Sequence, residues 1–100
     1  MTFDKTEHDF GIINGGDKVQ YSFNFKNTGK TDLIISNAAG SCGCTIPEYP
    51  KGIIKPGEAS KIKVSFNSAG KHGEQHKSVR ITTNTEKGTE SLLITASIKE

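Results

Sequence analysis

One hundred residues, 32% hydrophobic and 24% charged, suit one small domain of 1–100 with a single two-layer core. The formal net charge is +2, carried by scattered lysines and one arginine, Arg80, which argues against nucleic acid as a partner, since such binders concentrate basic charge on one face. No apolar run exceeds three residues, so this chain holds no transmembrane segment.

The elements follow from alternation. Phe3 to Phe10 is interrupted by charges and reads as an edge strand. After Gly15-Gly16-Asp17, the residues Val19, Tyr21, Phe23 and Phe25 occupy every second position, which predicts a strand with one wet face. Asn27-Thr28-Gly29-Lys30 reads as a turn whose Asn and Gly tolerate positive φ. Leu33 and Ile35 begin the next strand. Ser41 to Lys55 is the least regular stretch; Pro47 and Pro50 exclude a central strand there and predict a crossing between sheets. Pro56-Gly57-Glu58 has Pro and Gly at the two central positions of a tight turn. Ile62, Val64 and Phe66 alternate with Lys61, Lys63 and Ser65, so those lysines belong to the wet face of a strand. A loop over 68–73, a strand with Val79, Ile81 and Thr83, a turn over 85–88 and a strand with Leu92, Ile94, Ala96 and Ile98 complete the chain.

No window carries a helical apolar stripe, and strands recur about every ten residues, which predicts an all-β sandwich. Phe10, Phe23, Phe25, Ile35, Ile62, Val64, Phe66, Val79, Ile81, Leu92, Ile94 and Ile98 are its expected core.

Cys42 and Cys44 are the only cysteines. In extended backbone, residues two apart point to one face, so both sulfurs would lie side by side. Four readings are open. The thiols can be small buried hydrophobes. They can form a strained, easily reduced disulfide that acts as a redox switch. They can hold Cu(I), or half of a Zn(II) site completed by His72 and His76 if the loop that carries these folds over the Cys segment; the plainer reading of both histidines is exposed loop residues. A catalytic thiol is the fourth, but His8, His72 and His76 show no ordered arrangement with Asp or Asn.

Several blocks recur together: Phe10-Gly11-Ile12-Ile13, Val19 to Phe25 with Asn27-Thr28-Gly29, Ser41-Cys42-Gly43-Cys44-Thr45, Ile54-Lys55-Pro56-Gly57-Glu58, Ile62 to Phe66, and Thr83-Asn84-Thr85. The set resembles a bacterial family, domain of unknown function 1573, similar to the ASH/Hydin-like branch of immunoglobulin-like domains. The resemblance implies a sandwich of about seven to eight strands with no substantial helix. It also implies export, to the periplasm or as an outer-membrane lipoprotein whose signal has been removed; no signal peptide is readable after Met1. It implies no settled activity. Two residues depart from the pattern: Tyr21 stands where relatives often carry His, and Ala96 where Gly is frequent.

The expected function is therefore a non-enzymatic interaction module, with a protein or cell-envelope component as partner and no cofactor. The alternative is a metal or redox site at Cys42 and Cys44. No paired carboxylates, Ser-His-Asp set or Gly-rich loop opening a helix supports an enzyme.

Overall fold

The computed structural model describes residues 1–41 and 43–99, and these form an all-β fold without helix. Nine strands are seen among them: β1 (Thr2–Phe3), β2 (Glu7–Asn14), β3 (Lys18–Lys26), β4 (Leu33–Gly40), β5 (Thr45–Glu48), β6 (Ile53–Ile54), β7 (Ala59–Asn67), β8 (Gly73–Thr83) and β9 (Thr89–Lys99). They lie in two sheets, ordered β1-β3-β7-β5 and β2-β9-β8-β4-β6. Pairing is antiparallel except for β2 with β9, which run parallel.

The opening segment is not one strand but two. β1 pairs with β3 in the first sheet, while β2 edges the second sheet along β9. The polar run Asp4-Lys5-Thr6 between them carries the chain from one sheet to the other, with Asp4 N–H donating to the Asn24 carbonyl and Leu93 N–H donating to that of Thr6. The irregular segment after Ser41 does cross between sheets. It yields β5, where Pro47 sits on an edge strand and so takes no needed donor out of a ladder. β8 is longer than its apolar pattern suggests, because Gln75 and Lys77 take the positions continuing the Val79–Ile81 face.

The core lies between the sheets. Phe23, Ile62, Val64 and Phe66 meet Val79, Ile81, Leu92 and Ile94, all buried. Each contributes about 1.5–3 kcal/mol by leaving water. Ile13, Leu33, Ile54 and Ala96 join them, and Phe10 is only partly buried.

Two polar side chains fasten the ends. Asn27 is buried at one end. Its Nδ2 donates to the carbonyls of Thr31 and Ile54, both at 2.9 Å, and its Oδ1 accepts from Gly29 N–H at 3.0 Å. Neither Asn27 nor Gly29 takes positive φ, so the side chain rather than a left-handed backbone makes this turn. The Pro56-Gly57 turn beside it does use one: Gly57 has φ 84°, and Glu58 N–H donates to the Lys55 carbonyl at 2.9 Å.

Ser68 fastens the opposite end. It is fully buried, and its hydroxyl reaches the Asp17 carbonyl at 2.7 Å and that of Asn14 at 3.2 Å. Its own N–H also donates to Asp17. Ser68→Ala removes the hydroxyl from both part-buried bonds while the backbone N–H donors to Asp17 and Asn14 remain, and is expected to cost about 1 kcal/mol. The check is urea unfolding, with a lower midpoint at an unchanged slope.

Candidate functional site

The cysteine segment is the stretch whose chemistry the core does not explain. The chain leaves the second sheet at Gly40, which lies so close to Thr45 that a Cβ there would collide with the Thr45 carbonyl. Ser41 is tied to β8: its N–H donates to the Ser78 carbonyl at 2.9 Å and its hydroxyl accepts from Ser78 N–H at 3.2 Å. The chain joins the first sheet at Thr45, opposite Phe66, and Asn67 N–H donates to the Cys44 carbonyl at 2.9 Å.

Cys44 is disulfide-bonded. Cys42, the other cysteine of the sequence, lies outside the described residues, and so does the side-by-side placement of the two sulfurs expected from their spacing. Cys44 is partly buried against the core and borders a shallow hollow of about 170 Å³ with Lys18, Ile46 and Phe66. The Thr45 hydroxyl lies 3.9 Å from its sulfur and is the donor there, because a disulfide sulfur has no proton to give.

The histidines lie elsewhere. His72 precedes β8 and lines a hollow of about 510 Å³ with Gly70, Lys71 and Lys99, while its carbonyl accepts from Gln75 Nε2 at 2.7 Å. His76 is on the outward face of β8, opposite Thr95, which is itself opposite Asp9; these border a third hollow of about 180 Å³. Cys44, His72 and His76 thus line three separate hollows. Among the described residues no group of three or more His, Cys, Asp or Glu side chains stands together.

A ring cluster closes the side of the sandwich between β2 and β3, and periodicity gave no hint of it. His8 stacks on Tyr21 with centroids 3.7 Å apart and planes 8° from parallel. Phe10 meets the edge of His8 at 4.7 Å, and Phe23 that of Tyr21 at 4.9 Å. Tyr21 therefore serves as a stacking partner for His8 across the two sheets.

Burial lowers the His8 pKa from its ordinary 6.5, with the Lys5 charge adding to the effect and Asp9 opposing it. The neutral imidazole is thus favoured in the folded state. The stability this gives is present above pH 6.5 and is lost as pH falls through the lowered value. His8→Phe keeps a ring in place and removes the titration. Urea unfolding between about pH 7 and pH 5 should therefore show a shallower loss of stability in His8→Phe than in the wild type.

Two sheets of mostly antiparallel strands packed face to face, with a crossing between them, define an immunoglobulin-like β-sandwich. Over residues 1–98 the chain matches, and belongs to, the family described as a protein of unknown function (DUF1573). No curated protein matches the sequence. Among solved structures, the ASH/PapD-like domain 7 of human CEP192 is similar at 11% identity and TM-score 0.78, over 99% of this chain and 84% of that one. The secreted serine protease VesC from Vibrio cholerae is similar at 16% identity and TM-score 0.68, over 90% of this chain but 21% of that one. The CupB2 chaperone of Pseudomonas aeruginosa is similar at 9% identity and TM-score 0.69, over 97% of this chain and 55% of that one. The chain thus spans well under two thirds of the protease and of the chaperone, and at these identities the likeness is one of fold.

Proposed function

We propose that the chain is a non-enzymatic, immunoglobulin-like interaction module of an exported bacterial protein, acting as one unit through its surfaces. The observation that carries this reading is the fold itself: a sandwich whose interior is filled by side chains, matched to ASH/PapD-like domains and to parts of longer proteins described as a secreted protease and a chaperone. The test is photo-cross-linking in the producing cells, with the photoreactive residue placed in turn at Asn24, Ile46, Ile53 and Arg80. Cross-links to an envelope component concentrated on one face support the module. Absence of cross-links above background from every position contradicts it.

A second reading is favoured by one observation, the disulfide at Cys44. In it, Cys42 and Cys44 cycle between dithiol and disulfide with a thiol partner. Rapid reduction of the folded protein by a small dithiol, leaving the fold intact, is its expected mark; a disulfide that resists until the protein unfolds contradicts it.

A further inference from the structure

The register of β3 against β7 gathers lysines from two distant segments onto the outward face of the first sheet. Lys18 and Lys26 come from β3, Lys61 and Lys63 from β7, and the pairs Ser22↔Lys63 and Asn24↔Lys61 set the second two between the first two along the strand direction. At about 3.3 Å per residue, Lys18 to Lys26 spans about 26 Å, and Lys61 and Lys63 stand about 7 Å apart. Two carboxylates border this stripe. Glu48 lies 4.0 Å from Lys63, and Asp4 shares a hollow with Lys26.

We propose that this face docks a linear acidic polysaccharide of the uronate type, lying along β3 and β7. The proposal rests on the interaction-module reading and gives it a surface and a partner class. Charge complementarity supplies the attraction: point charges at strand spacing face a chain of regularly spaced carboxylates. Gln20, Ser22 and Asn24, between the lysines, offer amides and a hydroxyl to sugar hydroxyls.

The composition of the face disfavours other partners. A protein interface centres on apolar, aromatic and Arg side chains and is depleted in Lys. Here the large apolar side chain exposed among the described residues of this sheet is Ile46, at its β5 margin. Nucleic acid would call for stacking rings or Arg forks, and none of the outward strand positions of this sheet holds an aromatic residue or Arg.

The test titrates the intact protein with polygalacturonate, with dextran, duplex DNA and polyglutamate as comparisons, at about 50 and about 150 mM salt, where screening lengths differ. The variant Lys61→Glu/Lys63→Glu is set beside Lys30→Glu/Lys87→Glu, which makes the same change in net charge at positions outside β3 and β7. The expected result is salt-sensitive binding of polygalacturonate but not dextran, weakened at least about tenfold in the first variant and within about twofold of wild type in the second. Should the first variant fail to fold by circular dichroism, Lys18→Glu/Lys61→Glu carries the same test. Equal loss in both variants, no binding by the wild type, or tighter binding of DNA or polyglutamate overturns the proposal. A cross-linked envelope partner without polysaccharide binding overturns this proposal alone; failure of both experiments overturns the module reading as well.

Discussion

Gly40→Ala is expected to destabilise the protein by about 3 kcal/mol, within the range for forcing atoms into a packed site. The added Cβ meets the Thr45 backbone carbonyl and the Thr45 Cβ, and neither is the mobile end of a long side chain. Relief requires β4 and β5 to part. Thr45 is buried and paired with Phe66, so their separation would disturb the ladder to β7. Gly43→Ala is the internal control: a Cβ there meets nothing within 4 Å, and the residue does not take positive φ, so a change of a few tenths of a kcal/mol is expected. Urea unfolding of the two variants checks this. Equal effects would mean that the approach of β4 to Thr45 is not tight. Because Gly40 fixes where the chain leaves the second sheet, Gly40→Ala should also speed reduction of the Cys44 disulfide by an added dithiol.

Asn27→Ala is the second substitution with a large expected effect. It removes two donors and one acceptor at a buried position, leaving the Ile54 carbonyl and the Gly29 N–H without these partners. At about 1 kcal/mol net per hydrogen bond, plus the penalty for stranded buried groups, the loss should be about 3–4 kcal/mol. Asn27→Asp sharpens the test. It keeps the acceptor for Gly29 but turns a carboxylate oxygen toward two carbonyls in place of the amide donor. It is expected to be at least as damaging as Asn27→Ala at neutral pH. An aspartate variant close to wild type would show that the acceptor to Gly29, and not the amide bridge to Thr31 and Ile54, holds this end.

The strands that face both water and core were legible because alternation records that asymmetry directly. Val19 to Phe25 and Ile62 to Phe66 are examples, and Pro56-Gly57 marked its turn through fixed and positive φ. Other features left weaker traces. β8 begins well before Val79 because its sheet end needs less apolar surface, and Gln75 and Lys77 serve there. The division of the opening segment between two sheets depends on partners far along the chain, β3 and β9, which no local pattern names. Gly40 is required by a contact with Thr45, not by its own φ, and a sequence gives no sign of such an approach. The ring stack of His8 on Tyr21 likewise joins strands of different sheets. For the candidate site, the Cys-Gly-Cys spacing marked the place but left the state of the sulfurs open. The lysine face needed the β3–β7 register, since alternation assigned each lysine to a wet face without saying that the faces coincide.

The proposed interaction module works through its surfaces and not through chemistry at its sulfurs. Native mass spectrometry of the reduced protein, offered Cu(I) and Zn(II) in turn beside Cys42→Ser/Cys44→Ser, tests it most directly. The expected result is no tight one-to-one uptake of either metal by the wild type, and none by the variant. Stoichiometric uptake that disappears in the variant would contradict it and make this a metal-handling domain.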